Sequence, residues 1–107
     1  MNMTRMMKQA ASVALILALA APALAADDAR ARELIDSLGC KGCHKLGGEG
    51  GTLAPAFEGM GTRLKEEDIR RQLVNPKESN PKTMMPAYAH LPEKDLKALV
   101  DFLKSLK

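Results

Sequence analysis

The sequence predicts an all-α protein with three main helices and two long loops. Three segments, near residues 27–38, 65–74 and 92–106, repeat apolar residues at the three- and four-residue spacing of one helix face. The segments between them are rich in glycine and proline, which interrupt regular structure. No segment shows the strict alternation of apolar and polar residues that a half-buried strand requires.

The first helix begins at Asp27 or Asp28, since either carboxylate can cap the free N–H groups of a first turn. Gly39 ends or bends this helix directly before Cys40. The residues from Cys40 onward therefore lie at its carboxyl end. The apolar positions of the helix are Ala31, Leu34, Ile35 and Leu38.

Two loops follow. The first, residues 46–62, contains six glycines and Pro55, and the second, residues 75–90, contains three prolines. Loops of this length in a small domain usually carry function, so we expect the site to involve them. The apolar residues of the first loop, which we expect to fold over one edge of the site, are Leu53, Ala54, Ala56 and Phe57.

The second helix covers about residues 65–74 and has three acidic residues in its first turn, where the helix dipole favours negative charge. Pro76 ends it. Pro92 suits the first turn of the third helix, where a missing N–H removes no hydrogen bond. The apolar stripe of the third helix consists of Leu96, Leu99, Val100, Leu103 and Leu106.

The N-terminal segment has the features of a secretory signal peptide. Arg5 and Lys8 precede an apolar run at residues 10–21, and Ala23-Leu24-Ala25 gives a small-residue cleavage site. The alternative is a retained membrane anchor, but a bilayer span needs about 20 apolar residues. We therefore predict that residues 1–25 are removed, that residues 26–107 form one domain, and that the product has no stable membrane insertion.

Charge and composition argue against nucleic-acid binding. The chain has 16 basic and 13 acidic residues, and removal of Arg5 and Lys8 with the signal peptide leaves a nearly neutral domain. Only Phe57, Tyr88 and Phe102 are aromatic, and no extended basic stripe is present. A domain this small and poor in rings needs a cofactor or covalent link to supplement its core.

The pentapeptide Cys40-Lys41-Gly42-Cys43-His44 is the attachment motif of a c-type haem. Each thiol adds to one vinyl group of the porphyrin, and the histidine that follows is an axial iron ligand. We expect the porphyrin to become the centre of the core. A redox-active C-x-x-C pair would need a βαβ context, and a structural zinc site would need His90 as its fourth ligand; we favour haem over both.

Met85 is the predicted second axial ligand. A soft, neutral thioether favours Fe(II) and raises the reduction potential, and Pro86 restricts the backbone of the residue before it. The alternatives are Met84, which we expect to pack elsewhere, and His90, which would give a bis-histidine haem but is expected at the surface. Met60 in the first loop is expected to fill space in the core or on the surface.

By these motifs together, the sequence resembles the small monohaem class I cytochromes c of bacteria. The resemblance covers essentially all of residues 26–107. Its motifs are the haem pentapeptide, Leu53-Ala54-Pro55-Ala56-Phe57 with Gly59 and Gly61, Met84-Met85-Pro86-Ala87-Tyr88, and the terminal helix at residues 96–106. It implies a cytochrome c fold, with three main helices and two long loops around one covalently bound haem.

The resemblance also implies roles for three further residues. In the family, the proline after the haem motif accepts a hydrogen bond from the ligand imidazole, which here indicates Pro55. Arg63 is similar to an arginine that some members direct at a haem propionate; the alternative is a solvated arginine. Tyr88 is expected to pack against the ring. The family often has a glycine directly before this proline, whereas this chain has Ala54.

The resemblance further implies a periplasmic electron carrier of the respiratory chain and not an enzyme, because an iron bound by both His44 and Met85 has no position for a substrate. Its partners would be a quinol-oxidising complex or dehydrogenase as donor and an oxidase or reductase as acceptor, with the carrier itself a monomer. The alternatives are a small cytochrome subunit of a larger oxidoreductase, and a haem sensor or peroxidase with a labile sixth ligand. Four lysines, which would steer acidic partners or serve only solubility, flank the ligand segments: Lys41, Lys45, Lys77 and Lys82.

Overall fold

The computed structural model describes residues 27–107, and the predicted signal peptide lies outside this range. Within it the secondary structure is helical, without a strand, which confirms the all-α prediction. Helix α1 covers residues 27–37 and leads into a 3₁₀ turn at Cys40–Gly42. The later helices are α2 (Met60–Arg63), α3 (Glu66–Val74), α4 (Pro76–Ser79) and α5 (Glu93–Ser105).

Helices α2 and α4 were not predicted. Each is a single turn inside a segment that the glycine and proline content marks as a loop. Pro76 ends α3 as predicted, but it also opens α4, because its ring suits a first helical position. Four-residue helices carry too little periodic pattern to be seen in the sequence.

Helices α1 and α5 contact each other through charged and aromatic side chains. The Arg30 guanidinium donates two hydrogen bonds of 3.0 Å to the Asp95 carboxylate, which holds the pKa of Asp95 below its ordinary value. The Arg32 guanidinium carbon lies 4.9 Å from the centre of the Phe102 ring. The first and last helices of the described chain are therefore held in contact.

The hydrophobic core is formed mainly by α1, α3 and α5, with single residues from the loops. The chain thus supplies an apolar interior of its own, and the expectation that a porphyrin becomes the centre of the core stays a prediction. The buried residues of this core are Ala31, Leu34, Ile35, Leu46, Phe57, Ile69, Leu73, Tyr88, Leu96, Leu99, Val100, Phe102 and Leu103.

The end of the first loop is fastened to the carboxyl end of α5. The Gly61 amide donates to the Leu106 carbonyl at 2.7 Å. The Lys104 ammonium donates to the carbonyls of Gly61 and Leu64, both at 2.9 Å. A Cβ atom at position 61 would overlap the Lys104 carbonyl, so only glycine permits this close approach.

We expect Gly61→Ala to lower the free energy of unfolding by about 1–3 kcal/mol, because the overlap is with backbone and cannot be relieved by a side-chain movement. Guanidinium titration of the haem-loaded protein measures the change. Gly42→Ala is the matched control, since a Cβ there meets nothing within 4 Å. Equal free energies of unfolding for the two variants would contradict the close approach of Gly61 to the Lys104 carbonyl.

Candidate haem-binding site

The backbone around the C-x-x-C-H motif reverses direction sharply after α1. Gly39 adopts a φ of 74°, and the 3₁₀ turn follows at once. The His44 amide donates to the Cys40 carbonyl at 3.0 Å, which closes the motif into one compact turn. Neither Cys40 nor Cys43 forms a disulfide; Cys40 is half-buried and Cys43 is exposed.

The His44 imidazole is oriented by the first loop. Its Nδ1 lies 2.7 Å from the Pro55 carbonyl oxygen, and its ring stacks on Phe57 with centroids 4.6 Å apart and planes 16° apart. Because a carbonyl oxygen can only accept, Nδ1 carries the proton in this bond. The lone pair of Nε2 is then left to bind a metal. The structure thus brings Pro55 to the position that the resemblance implies.

Tyr88, in the second loop, lies beside Cys40 of the haem motif. Its amide donates to the Leu73 carbonyl at 2.7 Å, and its side chain is buried. Burial raises the pKa of the Tyr88 phenol, and the neighbouring Cys40 raises it further. Burial also raises the pKa of the Cys40 thiol, against the effect of its hydrogen bond to Tyr88. Contact of Tyr88 with a porphyrin stays a prediction.

The second loop distinguishes its two methionines. Met85 is half-buried against the hydrophobic core, and its amide donates to Thr83 Oγ1 at 3.2 Å. Met84 is 83% exposed, so the expectation that it packs elsewhere in the fold is wrong. A cavity of about 500 Å³ lies against this loop, lined by Asn75, Pro76, Lys77, Thr83, Met84, Met85, Pro86 and Ala87.

The remaining methionine and histidine differ in burial. Met60 is half-buried against the core, and His90 is exposed at the surface, as expected. The His90 ring centre lies 6.4 Å from that of Tyr88. In residues 27–107, no three His, Cys, Asp or Glu side chains form a group that could hold a metal ion, so the four-ligand zinc arrangement is not assembled.

Arg63 lies on α2 and contacts the first loop. Its guanidinium donates to the carbonyls of Ala56 at 2.9 Å and Glu58 at 3.1 Å. The side chain therefore supports the segment that carries Pro55. The predicted bond to a haem propionate stays a prediction, and the guanidinium keeps further N–H groups for it.

Comparison with known proteins fits this arrangement. The family described as Cytochrome c matches residues 29–107. The chain belongs to the cytochrome c family. This cytochrome c is also 32% identical over 84 residues to the cytochrome c oxidase subunit 2 of Alkalihalophilus pseudofirmus. That alignment covers 71% of this chain but 25% of the relative, so the chain spans about a quarter of that protein's length.

Membership of the family establishes a covalently bound haem c, and the residues of the site fit it. Cys40 and Cys43 are unpaired thiols at the required spacing, and His44 has its Nδ1 engaged and its Nε2 free. A second cavity, of about 530 Å³, lies between α3 and α5, and none of the predicted site residues lines it. No helix among residues 27–107 has the length and apolar character to span a membrane.

Sequence reasoning missed three contributors to this site. Phe57 was expected to be an apolar loop residue, not the partner that stacks on His44. Thr83 fixes the Met85 amide, and the Glu58 carboxylate accepts a hydrogen bond from Gly47. A threonine or glutamate in a loop carries no signal of this kind, because each contact depends on how the chain folds back.

We expect the variant Cys40→Ser with Cys43→Ser to lose covalent haem and most of its stability. Removal of both thioethers takes away the link that holds the cofactor against a core too small to be stable alone. Haem staining after denaturing electrophoresis measures attachment, and circular dichroism measures folding. A colourless but fully folded variant would show that the helical core of this protein suffices without the cofactor.

Proposed function

We propose that this cytochrome c is a periplasmic carrier of single electrons whose haem iron is bound by His44 and Met85. The observation that supports this most directly is the His44 ring, which Pro55 and Phe57 hold with Nε2 free. The proposed second ligand, Met85, is half-buried and precedes a proline, and its backbone amide donates a hydrogen bond to Thr83.

Each ligand residue has a defined part. When bound, the haem supplies one-electron exchange between Fe(III) and Fe(II). The Pro55 carbonyl keeps the His44 imidazole in one tautomer and increases its basicity. Pro86 and Thr83 restrict the backbone of Met85 on both sides. Rigid ligands change little with oxidation state, and two of them leave no position for a substrate, so the protein transfers electrons and is not an enzyme.

We propose export as the route to the periplasm, because covalent haem attachment and the N-terminal pattern of residues 1–25 agree. The partners we propose are a quinol-oxidising complex or dehydrogenase as donor and an oxidase or reductase as acceptor. The four lysines that flank the ligand segments give only partial support to a contact with acidic partners, because Lys41 lies 3.1 Å from Asp36 and 4.0 Å from Glu49, so its charge is compensated. The other three lysines that flank the ligand segments are Lys45, Lys77 and Lys82.

A second candidate function is that of a subunit docked permanently on a larger oxidoreductase. The observation in its favour is the relative, an oxidase subunit 2 in which the region similar to this chain makes up a quarter of the protein. Gel filtration of the exported protein from gently lysed cells separates the two. We expect haem absorbance to elute at the mass of a monomer, whereas elution only with a larger complex would favour the subunit.

We expect Met85→His to keep a six-coordinate haem but to lower the reduction potential, on the order of 0.1 V or more within the roughly 0.8 V range that axial ligands set. Imidazole stabilises Fe(III) more than a thioether does. Potentiometry with an optical spectrum measures the shift.

Met84→His is the matched control for this substitution, since it places the same imidazole one residue away on a side chain that is 83% exposed. It should leave the potential near that of the wild type. A large shift of the reduction potential in Met84→His, with no shift in Met85→His, would indicate that Met84 is the ligand. Rapid binding of CO to the reduced wild type would instead indicate a sensor or peroxidase with a labile sixth ligand.

A further inference from the structure

The first loop folds back on the haem motif as two limbs. The first limb is residues 43–51, and the second limb is residues 54–58. Backbone hydrogen bonds join them: the Ala54 amide donates to the Cys43 carbonyl at 3.0 Å, and the Phe57 amide donates to the Lys45 carbonyl at 2.9 Å. The bond between His44 and Pro55 lies between these two. The position of the second limb therefore decides where the Pro55 carbonyl lies.

The first limb continues past Lys45 into a tight turn. Leu46 and Glu49 exchange backbone hydrogen bonds of 2.8 and 3.1 Å around Gly47 and Gly48. Beyond the turn, the Gly51 amide donates to the Lys41 carbonyl at 2.9 Å. This turn is therefore anchored to the haem motif at both ends, and it offers a fixed point for the second limb.

Glu58 connects the second limb to that fixed point. Its carboxylate accepts a hydrogen bond from the Gly47 amide, although the side chain itself is exposed. The Gly47 N–H is also the main cause that holds the pKa of Glu58 below its ordinary value, so the group is ionised at neutral pH. Within residues 27–107, this contact and the one between His44 and Pro55 are the side-chain hydrogen bonds that join the two limbs.

We propose that Glu58 is a positioning residue for the haem ligand: by tying the second limb to Gly47, it holds the Pro55 carbonyl against His44. The inference rests on the proposed function, because it takes His44 as an iron ligand. Glu58 lies one residue beyond Phe57, which contacts His44 through its ring. Release of Glu58 therefore loosens both groups that orient the imidazole.

The test uses the haem-loaded protein with Glu58→Ala and Glu58→Gln. Amide exchange of Phe57, the NMR signal of the His44 Nδ1–H and the reduction potential are measured for each. We expect Glu58→Ala to speed Phe57 exchange about fivefold or more, to shift the His44 signal and to raise the potential, since a weaker bond to Pro55 makes the imidazole less basic and so a weaker stabiliser of Fe(III). Glu58→Gln should restore most of each value, because its amide oxygen still accepts from Gly47.

Glu49→Ala is the matched control, since Glu49 is an exposed acid on the first limb and its nearest charged partner, Lys41, is 4.0 Å away. Glu58→Ala values within the range of Glu49→Ala would overturn the proposal, as would a Glu58→Gln variant as disturbed as Glu58→Ala. If Glu58→Ala does not accumulate with haem, the test uses Glu58→Gln alone. A fivefold rise in the exchange rate of the Phe57 amide in that variant overturns the proposal, and a wild-type rate supports it. Rapid binding of CO to the reduced wild-type protein would instead count against the proposed function.

Discussion

The hydrogen bond between His44 Nδ1 and the Pro55 carbonyl is the constraint on which the rest of the site depends. A histidine directly after the second cysteine could present either nitrogen, and an acceptor on one of them selects the tautomer whose other nitrogen can bind a metal. The acceptor comes from eleven residues later in the chain. The first loop must therefore fold back in one register, and much of the local structure around Cys40–Gly59 achieves this.

That loop is held from two directions. On one side, backbone bonds and the Glu58 carboxylate join it to the haem motif. On the other, Arg63 binds two of its carbonyls, and Gly61 is fastened to the end of α5. Because α5 also packs against α1 and α3, the position of the imidazole is linked to the helical core. In this fold, stability and ligand geometry are parts of one network.

The two loops differ in what they supply. The first gives a carbonyl, a stacking ring and a glycine turn around His44, whereas the second gives adjacent methionines of contrasting burial. This contrast favours Met85 as the sulfur ligand and leaves Met84 in solvent. In the proposed function, both loops serve electron transfer by fixing the haem ligands.

The sequence by itself determined the all-α class, the three main helices and the haem attachment motif, because helical periodicity and C-x-x-C-H spacing are local patterns. Pro55 was indicated only through resemblance to a family. Tertiary structure decided that Phe57 stacks on His44, that Glu58 reaches Gly47, that Met84 is exposed, and that Pro76 opens a helical turn. These contacts join residues far apart in the chain or depend on one-turn elements. No repeating pattern marks them, and they arise only when the loops close over the motif.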